Sequence, residues 1–412
     1  MSGPRARIDD RNIWIINGAI LLLGIAYGAS LAVLAIHLNA HGIPKLAMGG
    51  LSAAFAVGIA GMSIPSGWLI ARYGSKNTLM TALLGYAACV LAFPFLTTVT
   101  SLTLVRLFDG GFSVAVWVAT ETALLARAGP TNKAYVMSLY TIAVAVGYVV
   151  GPLVARVVVA GLGTGAAFIV AAVLACVAAG VVLLLLDGDD RKGAGAHEAA
   201  GAGSGEPART VFWRIKTACL ATFSYGYFQS SVVLFLPLYL VESKGIEEKQ
   251  TILITAFFAF GALLAVASMG RLGDRYGHLL MMRALAAVGG TLVASFLLLT
   301  SFPMMCLTVF VAGATLASIS PLALALQGVV TPAADLGRAN AFYNAAYAMG
   351  MLVGPPLSSV LFTKIGGGAM LVHLAAMWAF FVMVTLVFAA DDPRRVAASS
   401  PSPEPVNDHG LG

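Results

Sequence analysis

The sequence predicts an all-α polytopic membrane protein with twelve transmembrane helices arranged as two six-helix lobes. Three observations predict this fold class: the composition, a series of long apolar runs, and a repeat between the two halves of the chain. Of the 412 residues, 59% are apolar and only 10% are charged, whereas a soluble domain carries about 25% charged residues. Because so few charges would not cover a soluble surface, most of the chain must be surrounded by lipid.

The apolar runs are long enough to cross a bilayer, which requires about 20 residues. The twelve runs are approximately 13–38, 46–71, 78–98, 102–126, 134–160, 164–186, 214–241, 251–272, 279–300, 303–330, 339–363 and 368–390. The first run follows Arg5, Arg7 and Arg11 and exceeds the apolar core of a signal peptide, which has about 7–15 residues. We therefore expect it to be retained as a membrane helix.

Two stretches stand outside this apolar series. Residues 187–210 are rich in glycine, alanine and charge and contain no large apolar side chain, which is typical of a flexible linker. We therefore expect an N-terminal six-helix lobe at 1–186, a cytoplasmic linker at 187–213 and a C-terminal six-helix lobe at 214–390. The tail at 391–412 has a similar composition and is predicted to be disordered.

The basic residues are distributed unevenly along the chain. With the N-terminus inside, eighteen of the 24 Lys and Arg residues fall on one side of the membrane, five fall on the other, and Arg106 lies within a run. We therefore expect the protein in the inner (plasma) membrane of the cell. The positive-inside rule then predicts that both termini and the linker lie in the cytoplasm. A net charge of +6 also occurs in nucleic-acid-binding proteins, but these basic clusters between apolar runs form no basic face with interleaved aromatic residues.

The sequence offers little support for enzymatic or metal chemistry. The four cysteines lie in or beside apolar stretches without CxxC spacing, so we expect buried thiols and neither disulfides nor a metal site. The glycine-rich segment Gly161-x-Gly163-x-Gly165 falls between helices without the strand that a nucleotide site needs. No phosphate-binding loop, HExxH motif or nucleophile elbow is present. We therefore expect neither an enzyme, nor an ATP-driven pump, nor a cofactor.

The two halves of the chain match at one fixed offset of 203 residues. The matching pairs are Gly42/Gly245, Gly67/Gly270, Leu69/Leu272, Arg72/Arg275, Tyr73/Tyr276, Gly74/Gly277, Gly147/Gly350, Gly151/Gly354 and Pro152/Pro355. Five of them fall within the eight residues 67–74 and 270–277, more than the high glycine content would produce by chance. A parallel repeat of six-helix halves is typical of a two-lobed transporter with its substrate path between the lobes. A helical bundle without a pathway, such as a membrane anchor or scaffold, is the alternative.

The repeated loop after the second run of each half resembles a signature of the major facilitator superfamily, Gly-x-Leu-x-Asp-Arg-x-Gly. The second half carries this signature completely, whereas the first half has Ala71 at the position of the aspartate, so that Arg72 lacks its local partner. The resemblance implies a gating loop that latches neighbouring helices in the outward-facing state. Its residues here are Gly67, Arg72, Gly74, Gly270, Asp274, Arg275 and Gly277.

A second resemblance to this family lies in the fourth run. The segment Leu102-Thr-Leu-Val-Arg106-Leu-Phe-Asp109-Gly110 is similar to the pattern Leu-x3-Arg-x2-polar-Gly, which is linked in many members to proton coupling.

A third resemblance involves glycine and proline in the fifth run, where the spacing is similar to the core of a signature favoured by antiporters. Ser138 and Ala155-Arg156 replace the glycines that flank that core. The eleventh run repeats the same element, so it also fits a packing seam, because Gly-x3-Gly lets helices approach closely and proline kinks them. The residues of this helix-kink motif are Gly147, Gly151, Pro152, Gly350, Gly354 and Pro355.

Three ionisable residues lie within the fourth run, where each costs about 2.5–3.5 kcal/mol at the bilayer centre. Arg106 and Asp109 are three residues apart and share a helix face, so they can pair directly. Glu121 lies about 22 Å farther along the axis, nearer the cytoplasm, and cannot join that pair. The corresponding tenth run carries no charge.

We therefore expect Arg106, Asp109 and Glu121 to couple transport to an ion gradient. Asp109 or Glu121 would gain and lose a proton as the cavity alternates, while the fixed charge of Arg106 sets the balance. The alternatives are a structural ion pair for Arg106 and Asp109, and a carboxylate that simply reaches water at the cytoplasmic end for Glu121.

Aromatic and amide side chains among apolar neighbours predict the substrate cavity. The candidates are Tyr27, Trp117, Tyr140, Tyr148, Tyr225, Tyr227, Gln229, Gln327, Asn344 and Tyr347. Such groups with few charges suit a neutral or moderately lipophilic substrate, although each of them also fits a packing role. Tyr225, Tyr227 and Gln229 are the leading candidates because they cluster in the middle of one run, whereas His373 is predicted to be a core histidine.

Together these features predict a secondary active transporter that works by alternating access. The leading function is proton-coupled export of a small amphipathic or drug-like compound by a monomer, with the substrate, protons and the lipid bilayer as partners and no nucleic acid. The alternatives are uptake of a small metabolite by symport or uniport, and a non-transporting membrane sensor or scaffold.

Overall fold

A computed structural model describes residues 10–128, 133–188, 206–332 and 335–389. Within these ranges the chain is helical and contains no strand, and twelve helices are long and apolar enough to cross a membrane. The predicted all-α membrane fold is therefore confirmed. The predicted tail and most of the predicted linker lie outside the described residues.

The first half of the chain forms six helices with short connections. They are α1 (Arg11–Ala40), α2 (Lys45–Tyr73), α3 (Ser75–Ala92, extended by a 3-10 turn at Phe93–Phe95), α4 (Val99–Arg127), α5 (Lys133–Leu162) and α6 (Thr164–Leu185). Polar side chains cap the N-termini of α1 and α4. The side chain of Asp10 accepts a hydrogen bond from the backbone amide of Asn12 at 2.8 Å, and Thr98 accepts one from the amide of Ser101 at 3.3 Å.

The second half repeats this pattern after one additional short helix. Its helices are α7 (Ala208–Arg214), α8 (Lys216–Lys244), α9 (Glu248–Tyr276), α10 (His278–Ser295), α11 (Phe302–Leu316), α12 (Ile319–Val330), α13 (Leu336–Lys364) and α14 (Gly367–Val387). Helices α11 and α12 together form one span, interrupted at Ala317 and Ser318. The largest boundary error is in α10, which ends at Ser295 although the apolar run continues to residue 300.

Helix α7 occupies part of the segment that was predicted to be a flexible linker. Val211 is fully buried and packs with Ile215, Cys219 and Ala339. These contacts anchor α7 because Val-Phe-Trp at 211–213 supplies the large apolar side chains that the preceding residues lack. The linker prediction was therefore wrong for residues 208–213.

The helices pack as two bundles with the same arrangement. In the first lobe α1 packs along α5, α2 along α4, and α3 along α6; in the second lobe α8 packs along α13, α9 along α11, and α10 along α14. The lobes meet where α2 packs on α13 and where α5 packs on α9. Because α2 corresponds to α9 in the repeat and α5 corresponds to α13, these two contacts are equivalent. The interface between the lobes therefore has the same approximate twofold symmetry as the lobes themselves.

The repeat is visible in the backbone of the turns. Six glycines of the described chain have a positive φ, a conformation that side chains with a Cβ rarely adopt, and they form three pairs at the offset of 203 residues. The pairs are Gly42/Gly245 (70° and 65°), Gly74/Gly277 (83° and 104°) and Gly163/Gly366 (83° and 126°). Equivalent turns of the two lobes therefore have the same local geometry, including the third pair, which was absent from the predicted matches.

Small residues also allow close crossings of helices inside each lobe. A Cβ at Gly58 would overlap the carbonyl oxygen of Leu107 in α4, and a Cβ at Gly110 would overlap that of Phe55 in α2. The glycines 203 residues later occupy the matching crossing of α9 and α11. Backbone therefore lies directly on backbone at this crossing in both lobes.

The lobes are held together at one end of the molecule, here called the loop face, where α1 connects to α2. The Lys45 Nζ atom lies 2.9 Å from Glu242 Oε1 in α8 and 5.0 Å from the centre of the Phe362 ring in α13. One turn along α2, a Cβ at Gly49 would lie 2.6 Å from Ser359 Oγ of α13. The two lobes are therefore in direct contact at the loop face.

The opposite end, here called the terminal face, is where α1 begins and α14 ends. Glu121 of α4 and Asn344 of α13 are exposed in the half of each helix nearer this face. Polar side chains at such positions face water or protein, because contact with lipid tails is unfavourable for them. Both side chains are therefore accessible in the half of the molecule nearer the terminal face.

The crossing of α2 and α4 predicts opposite effects for two alanine substitutions. Gly110→Ala places a methyl group against the Phe55 carbonyl and should lower the free energy of unfolding by about 1–3 kcal/mol, as overpacking does. Gly180→Ala in α6 meets no heavy atom within 4 Å and should leave stability unchanged or slightly raised. Thermal unfolding of both variants in detergent measures the difference, and equal melting temperatures would contradict the close crossing.

The contact at the loop face predicts a charge-reversal effect on the conformational equilibrium. Lys45→Glu places two carboxylates together and should shift the population toward open loop-face states by about two- to fivefold, the scale of a partly exposed ion pair. Spin labels at Ala40→Cys and Lys249→Cys report the separation of the lobes. The double variant Lys45→Glu/Glu242→Lys should restore the short distance, and failure of this rescue would show that the pair does not hold the lobes.

Candidate functional site

A row of polar and aromatic side chains runs along one face of α4. Arg106, Asp109, Ser113, Trp117 and Glu121 follow one another at spacings of three or four residues, which places them on the same side of a helix. The first three are buried, Trp117 is half-buried and Glu121 is exposed. This α4 row therefore leads from the interior of the first lobe into the space between the lobes.

Arg106 and Asp109 form a buried ion pair at the inner end of the α4 row. The Nη1 and Oδ2 atoms are 2.5 Å apart, and the two side chains are only 8% and 6% exposed. The guanidinium group also lies over the ring of Phe55 in α2, 4.2 Å from its centre. The two charges thus compensate each other in the lobe interior, while the Nε atom of Arg106 has no hydrogen-bond partner within the described part of the chain.

A hydroxyl network connects this ion pair to α1 and α3. Ser113 Oγ donates to the carbonyl oxygen of Asp109 at 2.6 Å and lies 3.3 Å from its carboxylate, and the Tyr27 hydroxyl donates to Ser113 Oγ. The ring of Tyr27 stacks on Tyr86 of α3 at 4.6 Å, and the hydroxyl of Tyr86 is 3.3 Å from Ser30 Oγ. The carboxylate of Asp109 is therefore linked through hydroxyl groups to an aromatic surface.

The aromatic candidates of the first lobe form one continuous surface. The ring centre of Tyr27 lies 6.1 Å from that of Trp117 and 6.3 Å from that of Tyr148 in α5. Tyr140 lies two turns before Tyr148 on the same helix and is within electrostatic range of Glu121. The structure thus brings Tyr27, Trp117, Tyr140 and Tyr148 together beside the α4 row.

Three candidates of the second lobe face this surface from the other side. The hydroxyl of Tyr347 donates to Gln229 Oε1 at 2.8 Å, and the rings of Tyr225 and Tyr347 are 6.3 Å apart. Both tyrosines are within electrostatic range of Tyr148 in the first lobe. Aromatic groups of the two lobes therefore meet near the middle of the molecule.

The prediction that Tyr227 lines the cavity was wrong. Its ring is buried inside the second lobe, and its hydroxyl lies 2.6 Å from His373 Nε2 in α14. Residues two apart on a helix point about 200° apart, so Tyr227 cannot share the face of Tyr225 and Gln229. His373 itself is half-buried.

The two remaining cavity candidates differ in their surroundings. Gln327 is buried and its Nε2 atom donates to Asn340 Oδ1 at 2.9 Å, which ties α12 to α13. Asn344 is exposed one turn farther along α13, toward the space between the lobes. In this conformation Gln327 thus connects two helices, and of the two residues only Asn344 is accessible to solvent.

The repeated loops differ in their charge partners, as the sequence difference implies. Gly74 and Gly277 end α2 and α9 in equivalent turns. In the first loop the guanidinium of Arg72 lies 5.4 Å from the ring centre of Trp68 and 5.6 Å from that of Tyr73. Aromatic faces thus take the place of the missing aspartate.

The second loop retains its carboxylate. The Asp274 Oδ1 atom is 3.1 Å from His278 Nε2, and the Arg275 guanidinium lies 5.3 Å from the ring centre of the adjacent tyrosine. A Cβ at either of the motif glycines Gly67 and Gly270 would meet no heavy atom within 4 Å, so neither glycine lies at a tight crossing.

The helix-kink motif of α5 packs against α1. A Cβ at Gly147 would lie 2.5 Å from Gly24 Cα, and a Cβ at Gly151 would lie 2.7 Å from the carbonyl carbon of Gly28. Pro152 follows inside the helix and its Cδ atom is close to the same glycine of α1. The motif therefore forms a tight seam beside Tyr27.

The second lobe contains the equivalent seam. A Cβ at Gly350 would overlap the carbonyl oxygen of Phe223, and a Cβ at Gly354 would lie 2.5 Å from that of Tyr227, both in α8. Pro355 lies inside α13 directly after this contact. The occurrence of one seam in both lobes supports the packing role among the two roles considered for this motif.

Sequence reasoning missed four residues of the site: Phe55, Ser30, Tyr86 and Ser113. Ser113 could have been found from its spacing, because it follows Asp109 by one helical turn. The other three lie on α1, α2 and α3, and their contact with the α4 row depends on how the helices pack. Within the described residues, no group of three or more His, Cys, Asp or Glu side chains is positioned to hold a metal ion.

Comparison with known families identifies the same fold and class. A sequence model of the Major Facilitator Superfamily matches residues 16–247 and 218–408, which together span nearly the whole chain. An uncharacterized MFS-type transporter of Enterobacter sp. (strain 638) is 23% identical over 395 residues, covering 94% of this chain and 98% of that protein. The uncharacterized MFS-type transporter YcaD of Escherichia coli O7:K1 is 22% identical over 392 residues, covering 94% and 98%.

Solved structures of similar fold are more distant in sequence. The crystal structure of a mutant of the nucleoside transporter NupG superposes with a TM-score of 0.77 at 13% identity and covers 92% of this chain and 99% of that one. A bacterial homolog of the human lysosomal transporter Spinster, in an inward-facing and occupied conformation, superposes with a TM-score of 0.71 at 13% identity, covering 95% and 98%. At these identities the likeness is one of fold.

The buried ion pair predicts a non-additive effect on stability. Arg106→Met leaves the Asp109 carboxylate buried without a cation and should destabilise the protein by about 3–5 kcal/mol. The double variant Arg106→Met/Asp109→Leu replaces both charges by apolar groups and should recover most of that loss. Thermal unfolding of the single and double variants in detergent measures the coupling. A double variant no more stable than the single variant would contradict mutual compensation of the two charges.

Proposed function

The chain belongs to the Major Facilitator Superfamily, and from this premise we propose that it exports a small amphipathic compound in exchange for protons. As a transporter of this family it is a multi-pass membrane protein with a small-molecule substrate. The observation that supports the finer proposal is the α4 row, which joins a buried Arg106–Asp109 pair to an exposed carboxylate, Glu121, in the space between the lobes.

We place the protein in the inner (plasma) membrane with both termini and residues 187–213 in the cytoplasm. The support is the location of eighteen of the 24 basic residues on that side. In this orientation the terminal face is cytoplasmic and the loop face is external. From the exposure of Glu121 and Asn344 nearer the terminal face we infer that this conformation is open to the cytoplasm, the state in which an exporter receives its substrate.

Alternating access would proceed by rocking of the two lobes. The contacts of α2 with α13 and of α5 with α9 are equivalent under the repeat, so the lobes would rock about an axis that lies between these two helix pairs. The loops at Gly74 and Gly277 would stabilise the state that is closed at the terminal face, with the carboxylate of Asp274 acting only in the second lobe. The seams at Gly147 and Gly350 would keep each lobe rigid during this movement.

Asp109 is the leading candidate for the proton carrier. Its carboxylate is paired with Arg106 and linked through Ser113 to the hydroxyl of Tyr27. Protonation of Asp109 would release Arg106 from its ion pair, and the freed positive charge would then favour a different arrangement of the lobe. Glu121 is the alternative carrier, since its exposed side chain can exchange protons directly with water in the cavity.

Vesicles with the purified protein distinguish these roles. We expect Asp109→Asn to reduce pH-driven transport to the level of empty vesicles, because an amide cannot release a proton. Exchange of substrate across the membrane without a pH gradient should persist in this variant, because exchange needs no net proton movement. Glu247→Gln, at an exposed position at the start of α9, is the matched carboxylate control.

A panel of amphipathic compounds with an imposed pH gradient of either sign also gives the direction of transport. Accumulation driven only by the opposite gradient would indicate uptake by symport, and transport without any gradient would indicate a uniporter. Unchanged proton dependence in both Asp109→Asn and Glu121→Gln would contradict proton coupling through the α4 row.

A further inference from the structure

The space between the lobes contains one negative charge that no described basic side chain balances. Arg106 is paired with Asp109 and Arg338 with Asp335, while Arg127 near the terminal face donates to backbone carbonyl groups. Glu121 makes no hydrogen bond and no ion pair within the described part of the chain, and its side chain is exposed. A carboxylate in this setting attracts a cation from the cavity, because no neighbouring positive charge neutralises it.

The neighbours of this carboxylate are aromatic. Trp117 lies one turn before Glu121 on the same face of α4, and Tyr140 of α5 is within electrostatic range of it. Trp117 in turn lies 6.1 Å from Tyr27. The faces of indole and phenol rings attract organic cations. The carboxylate and its aromatic neighbours therefore both favour a positively charged ligand.

The second lobe carries no such charge at the equivalent positions. Residues 203 positions after the α4 row are Val309, Ala312, Leu316, Ser320 and Leu324. Where the first lobe places Arg106 and Asp109, Val309 and Ala312 instead line an apolar crevice among α8, α9, α10, α11 and α14.

This crevice reaches the middle of the molecule. Val232, Leu236 and Phe258 continue its apolar lining up to Gln229, which accepts a hydrogen bond from Tyr347. The aromatic surface of the first lobe meets Tyr225 and Tyr347 near the same place, at Tyr148. A ligand between the lobes therefore meets a carboxylate on the first lobe and the uncharged side chains of Tyr225, Gln229 and Tyr347 on the second.

We propose that Glu121, Trp117 and Tyr140 form a subsite for the cationic group of a monovalent, lipophilic organic cation, whose apolar body lies against the second lobe. This inference rests on the proposed function and specifies its substrate class. Glu121 then binds the substrate, and Asp109, which is already paired with Arg106 and buried, is left to carry the proton. The two carboxylates of the α4 row thus have separate tasks at its two ends.

Two probes of equal size and opposite charge test the subsite. Binding of tetraphenylphosphonium to the purified full chain in detergent, with tetraphenylborate as its anionic counterpart, isolates the sign of the charge. We expect the wild type to bind the phosphonium in preference to the borate. Tetramethylammonium should compete only weakly, because it carries the charge without the apolar body.

Variants locate the binding at the proposed residues. Glu121→Gln should weaken phosphonium binding by about tenfold or more, because it removes the attracting charge. Trp117→Leu should weaken it by about threefold or more, whereas Trp117→Phe, which keeps an aromatic face, should retain most of the affinity. Glu247→Gln is the control that should bind like the wild type, and size-exclusion profiles confirm that each variant is folded.

Equal phosphonium affinity in the wild type and Glu121→Gln, or preference of the wild type for the borate, would overturn the cation subsite. These results are independent of the proposed transport. A protein that moves a neutral or anionic compound in response to a pH gradient would keep the proposed function and lose the subsite. A protein that binds the phosphonium through Glu121 but moves no compound would keep the subsite and lose the proposed function.

Discussion

The buried charge of Asp109 is the constraint on which the polar architecture of the first lobe depends. A carboxylate inside a membrane protein must be compensated where it lies, because neither lipid nor the apolar core solvates it. Arg106 supplies that compensation one turn away, and Phe55 covers the guanidinium. Once this pair is neutral, the only charge left on the α4 row is Glu121, so this carboxylate determines the sign of the field at the outer end.

The repeat shows that the fold itself does not require these charges. The second lobe has the same helix packing, the same turns and the same tight crossing, yet it carries Val309 and Ala312 at the positions of the ion pair. What the two lobes share is glycine at turns and crossings, where backbone geometry leaves no room for a Cβ. What they do not share is the α4 row, so its residues are better explained by chemistry in the cavity than by stability.

The features that depend on one helix alone were predictable from the sequence. Apolar length determines the spans, and spacing determines that Arg106 and Asp109 meet. Spacing also shows that Tyr227 cannot face the cavity with Tyr225, although proximity in sequence led to the opposite expectation. Tyr86 and Phe55 could not be predicted as neighbours of the ion pair, because their contacts arise from the packing of separate helices. The turn glycines Gly163 and Gly366 were overlooked because a single matched glycine carries little weight in a glycine-rich chain.

The strength of the contacts determines which movements are available to the molecule. Within each lobe, helices cross backbone on backbone, as at Gly58 and Gly110, and any separation there would open a void. Between the lobes at the loop face, the polar tie is the partly exposed pair of Lys45 and Glu242, and such pairs contribute about 0–1 kcal/mol. The lobes also pack closely there at Gly49 and Ser359, so their separation breaks this contact together with the ion pair. Since the α4 row belongs entirely to the first lobe, its residues would keep their mutual arrangement in the movement that we propose for transport, whereas the surroundings of Glu121 would change.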